Sequence, residues 1–162
     1  MKLDSREFSR EAHEGLTTLS GELTALANEW AKKWAEKQSS KLSATVIEKK
    51  AKEKAEEYCK KASGLVQGLP TYISTWGLHR LSGDAKKFLK GTTEDTKYKG
   101  KVYRKFLFRL KEFSQHKFQP DDEGSLIHLP LRDYTALNHL AMQLAKEWSF
   151  WAASVLGEAE AG

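Results

Sequence analysis

Apolar side chains recur along this chain at steps of three and four, and nowhere in strict alternation, which predicts helices and no strands. Over residues 4–37, Phe8, Ala12, Leu16, Leu19, Leu23, Leu26, Trp30 and Trp34 fall on one stripe of 3.6-residue period. Asp4 is placed to cap the first turn, with Glu7 three residues on. Gly15 and Gly21 interrupt the stripe, and Gly15 is where a break would fall. The polar run "KQSSKLS" reads as a connector. A second helix is expected from Thr45, which with Glu48 has the capping-box pattern. Its stripe, Ile47, Ala51, Ala55, Tyr58, Ala62, Leu65 and Leu69, is narrow and alanine-rich, so a neighbouring helix can approach closely.

The stretch "LPTYISTWGLHRLSGDAKKFLK" keeps a helical rhythm through one proline and two glycines. Pro70 at a helix start lacks only an N–H that would go unused there, so it punctuates without breaking. A third helix over 70–90 would align Ile73, Gly77, Leu81, Ala85 and Phe88, with Gly77 admitting a neighbouring backbone. "KGTTEDTKYKG" reads as a loop. A fourth helix over 101–115 would bury Val102, Tyr103, Phe106, Leu107, Leu110 and Phe113. Residues 116–131, with Pro120 and Pro130, read as the longest irregular connection. A last helix over 133–156 carries Leu137, Leu140, Ala141, Leu144, Trp148, Trp151, Ala152 and Val155. The expected fold is an all-α, single-domain bundle of five or six helices over residues 1–162. Its parts are an N-terminal helix and connector (1–40), a core (41–157) and a tail (158–162).

Composition supports that picture and narrows the function. The chain is 40% hydrophobic and 30% charged with only three prolines, which suits a solvated helical protein. No apolar run is long enough to span a bilayer, and "MKLDSREFSREAHEG" has no apolar signal-peptide segment. The lone Cys59 excludes an internal disulfide and fits a reducing cytoplasm, where it reads as a packing residue. The net charge of +5 is unevenly spread. Residues 79–117 hold twelve Lys/Arg against four Asp/Glu, whereas residues 118–162 hold two against seven. Such a basic block fits a polyanion, nucleic acid first; a merely solvated lysine face is the alternative.

Catalytic chemistry is sparse. Histidines 13, 79, 116, 128 and 139 are scattered without metal-ligand spacing, and no phosphate-binding glycine loop occurs. Asp121, Asp122 and Glu123 cluster, but without the ligand periodicity of a calcium loop, so a solvated acidic turn is favoured. No nucleophile–base pair stands out, and no enzyme activity, metal or cofactor is expected.

The helix faces say more. Opposite the buried stripe of the fourth helix lie Lys97, Lys101, Arg104, Lys105, Arg109 and Lys111, with Phe108 among them. In the third helix Tyr72, Trp76, Arg80, Lys87 and Lys90 share a second non-core face, beside Gly83. Cations beside aromatics supply what a nucleic-acid strand needs, phosphate neutralisation and planes for stacking. Trp76 alone, on its size, reads as packed under a neighbour. With Tyr72, Phe108 and the off-stripe Phe150 it forms the candidate set for partner contacts.

The order of these pieces is that of a known family. "EEYCKKASGLVQGLPTYISTWGLHRLSGDAKKFLK" resembles the signature region of the small helical subunit of the type III-B CRISPR RNA-targeting (Cmr) complex. Tyr58, Ala62, Pro70, Ile73, Gly77, Leu78, Phe88 and Leu89 carry the likeness. "KVYRKFLFRLKEF" looks like that family's next helix, and Tyr134, Ala141 and Trp148 match its last one. The resemblance covers about residues 45–157. It departs at Trp76, where a small or polar residue is usual, and at "WSFWA", which lacks a basic residue.

The resemblance implies a cytoplasmic, non-catalytic structural subunit. Its partners would be other effector subunits, further copies of itself that associate weakly in isolation, and the guide–target RNA duplex, touched through phosphates. RNA contact would fall first to Lys97, Lys101, Arg104, Lys105 and Arg109, then to Arg80, Lys87 and Lys90. A helical adaptor whose partners are proteins only is the alternative.

Overall fold

The computed structural model of the chain describes residues 4–91 and 94–159. Its helices are α1 (Ser5–Glu36), α2 (Ala44–Gln67), α3 (Leu69–Trp76), α4 (Leu78–Lys90), α5 (Lys97–Ser114), α6 (Glu123–Ile127) and α7 (Leu131–Leu156). A 3-10 turn at Glu94–Thr96 leads into α5. The expected all-helical bundle is present, but among the described residues there are seven helices rather than five or six.

Two local causes account for the difference. Gly77 adopts φ 84° and ψ 166°, a backbone conformation that side chains with a Cβ rarely reach, and so the expected 70–90 helix is cut into α3 and α4. A Cβ there would also collide with the Tyr134 hydroxyl. Gly77 is therefore a backbone break as well as a packing contact. The second cause lies in the 116–131 connection. Phe118 and Leu126 are both buried, and Asp122 accepts from the Gly124 N–H at 3.0 Å to start α6.

Other boundaries moved less. Asp4 caps α1 as expected, accepting from the Arg6 N–H at 2.9 Å. The cap of α2 is Ser43 rather than Thr45, its hydroxyl 3.4 Å from the Val46 N–H. Helix α5 begins four residues early because Tyr98 is buried, its ring 6.0 Å from that of Tyr58 in α2.

Buried side chains from all seven helices form one contiguous core around Trp148, Phe106, Leu16, Leu19 and Leu144. The Trp148 ring meets Phe106 edge-on at 5.2 Å, an arrangement that the charge distribution of aromatic rings favours. The stretch read as one long helix is unbroken, and Gly15, its weakest point, is buried mid-helix and gives the Trp148 indole its room. Helices α1 and α2 run antiparallel, as the pairings of Trp34 with Lys50 and Trp30 with Lys54 show. Buried positions on α1 end at Ala31 and those on α2 begin at Ala51, so both helices project beyond the core as a hairpin.

Candidate nucleic-acid interface

Helix α5 presents its cations on the solvent side because Val102, Tyr103, Phe106, Leu107 and Leu110 take the core side. Three of these cations already face carboxylates. Arg109 forks onto Glu11 of α1 and reaches Glu14 at 3.1 Å, with its side chain only 20% exposed. Lys105 reaches Glu22 at 3.4 Å, and Arg104 reaches Asp121 at 3.2 Å. Burial draws the Arg109 guanidinium down, but its bonds to Glu11 and the charges around it hold its pKa above the ordinary value. Glu11 itself is pushed up, because burial and the neighbouring Glu14 and Glu112 outweigh its arginine. The middle of the expected basic stripe therefore sews α5 to α1. Sequence periodicity could not reveal this, since it reads one helix face at a time.

The acidic cluster also dissolves on inspection. Asp121 turns to Arg104, Asp122 caps α6, and Glu123 lies 3.5 Å from Lys86. Among the described residues no group of His, Cys, Asp and Glu has the arrangement to hold a metal ion. The Cys59 thiol is half-buried, and burial pushes its pKa up, as befits a packing residue.

Cations collect at one end of α4 and α5, where no described carboxylate lies within ion-pair distance of Lys87, Lys90, Lys99 or Lys101. Gly100 lets the two antiparallel helices touch there: a Cβ on it would stand 2.7 Å from Cγ of Leu89. The contact brings Lys87 and Lys90, in the last turn of α4, beside the first turns of α5 with Lys97, Lys99 and Lys101. Lys99 lies over the Phe88 ring at 5.4 Å. Lys101, Arg104, Lys105, Phe108 and Glu22 line a hollow of about 180 Å³. The Arg104 guanidinium sits 5.1 Å from the Phe108 ring centre. Lys111, by contrast, turns to Gln119 at 3.1 Å.

The second expected face is split by the break at Gly77. Trp76 is 49% exposed, which corrects the expectation that it packs under a neighbour, and its ring carries the Arg80 guanidinium at 4.3 Å. That cation–π pair bridges the ends of α3 and α4. Tyr72 is half-buried, and its hydroxyl donates to Asp84 at 2.5 Å, so it braces α3 on α4. Gly83 meets open space. Phe150 is 71% exposed and stands edge-on to Trp151 at 5.0 Å.

Three features escaped the periodicity. Ile127 and Leu131 are exposed beside a hollow of about 280 Å³ formed with His79, Leu126, Leu129 and Tyr134. Ser82 is fully buried and donates to the Pro120 carbonyl at 2.7 Å, pinning the 116–130 segment. Trp30 and Trp34 are only half-buried, with lysines of α2 over their rings. Compared with known protein families, with curated proteins and with solved structures, the chain matches none. Among the described residues no helix is long and apolar enough to cross a membrane.

Proposed function

We propose that this chain is a non-catalytic RNA-holding subunit, and that the assembly it serves is a type III-B CRISPR ribonucleoprotein. The observation that carries the RNA-holding part is the placement of Lys87, Lys90 and Lys101 beside the Gly100–Leu89 contact, none of them within ion-pair distance of a described carboxylate. Polyanion binding draws on such uncommitted cations, because each phosphate neutralised releases condensed counterions. Lys97 and the exposed Arg104 extend the surface along α5, whereas Arg80 stands at the opposite end of α4, over Trp76. The CRISPR assignment rests on the likeness of residues 45–157 to the small-subunit pattern, with cleavage left to other subunits.

Reversing Lys87, Lys90 and Lys101 to Glu together is the direct test. Affinity for a single-stranded RNA should fall strongly, and the salt slope should drop by about 2, at roughly 0.7 per phosphate contact. An unchanged affinity and slope in a folded triple variant would refute the RNA assignment. Co-purification with guide-bearing effector subunits, or its absence, tests the assembly.

A protein-only adaptor is the second reading. It is favoured by the exposed Ile127, Leu131 and Phe150, which a partner protein could cover. Loss of assembly in a Leu131→Glu variant that still binds RNA would point to such a contact.

A further inference from the structure

We propose that the paired indoles of Trp30 and Trp34, on the α1–α2 hairpin, form a stacking site for an unpaired nucleobase of single-stranded RNA. The site lies apart from the lysine cluster of α4 and α5.

The two rings lie within 12° of parallel with centroids 6.3 Å apart, as side chains one helical turn apart on α1 can do. Lys50 stands over Trp34 at 5.1 Å and Lys54 over Trp30 at 4.6 Å, both reaching across from α2. A separate hollow of about 220 Å³ is lined by Trp30, Lys33, Trp34 and Lys37, all from α1. The α2 lysines that stand over the rings are not among the residues lining this hollow, which all come from α1. A planar ring entering it meets indole surface, with lysine ammonium groups within reach for the adjoining phosphates.

Packing alone is a poor reason for two tryptophans at this level. The core has ended at Ala31 and Ala51, and aliphatic side chains would hold a helix pair together without leaving indole surface in water. The hairpin is also basic, with eight lysines against four glutamates over residues 29–54. Aromatic planes set among cations bind single strands with little sequence preference, since every base has a stackable face. Buried ring contacts also brace the hairpin against α5. Lys54 lies over Tyr58 at 5.1 Å, and Tyr58 stacks on Tyr98 in the first turn of α5.

The test compares a uridine RNA of about 15 nucleotides, within the usual reach of such sites, with an abasic strand of equal length and charge. The intact chain should bind the base-bearing strand about tenfold more tightly, a preference of stacking size. Trp34→Leu, which keeps apolar bulk against Lys50, should remove that preference while leaving the salt slope unchanged. Equal affinity for both strands, or a preference that survives Trp34→Leu, would overturn the site. A variant that melts early is replaced by photocrosslinking of bromouridine RNA to the intact chain. Crosslinks should then map to residues 28–37; crosslinks elsewhere, or no binding of either strand, exclude the site. The lysine reversals above discriminate the two surfaces. They lower affinity for both strands alike, whereas Trp34→Leu acts only on the base-bearing one.

Discussion

A Cβ on Gly15 would stand 2.6 Å from Cζ2 of Trp148, closer than real side chains tolerate. The first helix thus gives up a side chain so that the largest ring of the last helix can be fully buried. Gly15→Ala should destabilise the protein by about 1–3 kcal/mol, because overpacking outweighs the gain in helix propensity of about 1 kcal/mol. Denaturant melts check this. In the Trp148→Phe background the same change should cost much less, since the ring that it strikes is gone.

The break at Gly77 gives a different signature. Gly77→Ala meets both an unfavourable φ and the Tyr134 hydroxyl, and should cost about 1–3 kcal/mol. Gly21→Ala and Gly83→Ala meet nothing within 4 Å, lie in helices, and should stabilise by up to about 1 kcal/mol. Thermal melts of the three variants should therefore move in opposite directions.

Arg109 separates stability from binding. Removing it as Arg109→Met strands the part-buried Glu11 and should cost about 1–3 kcal/mol. RNA affinity should change little, because this arginine is held by α1. The Lys87, Lys90 and Lys101 reversals should do the opposite, lowering affinity with little shift in the melting point. Parallel binding isotherms and melts of both variants provide the check.

Alkaline pH should unfold the protein through its tyrosines. Burial, and then the charge of Asp84, push Tyr103 up to about 12 from an ordinary 10.0. Burial and its hydrogen bond to Asp84 push Tyr72 up further still. A proton held more tightly in the folded state gives stability that is complete below pH 10 and is lost as pH climbs through about 12. Tyrosinate absorbance should show these two side chains ionising together with the loss of helical circular dichroism. Tyr72→Phe should lessen the alkaline loss, whereas ionisation well before unfolding would contradict the burial of the pair.

Most of the helical architecture was legible from periodicity, because the core stripes of α1, α2, α5 and α7 are long enough to repeat. Phe118 and Leu126 were not, since an isolated apolar residue in a proline-bounded segment has no period to join. Trp76 misled through its size: it stays half exposed, with the Arg80 guanidinium over its ring. Candidate cations were recognisable as a class. Which of them remain uncommitted depends on the acidic residues of α1 and of the 116–130 segment, and pairing between distant segments is invisible in one helix at a time. Trp30 and Trp34 looked like core because they continue the stripe of α1, but the stripe outruns the partners that would bury it.

The Gly15–Trp148 contact also governs the order of events during synthesis. Trp148 lies in α7, the last of the seven helices to leave the ribosome, yet it fills the space left open by the first. Until residue 148 is free of the exit tunnel, Leu16, Leu19 and Phe106 lack their central neighbour. The nascent chain must therefore carry an open apolar face until α7 emerges, the interval in which a holding chaperone has something to protect.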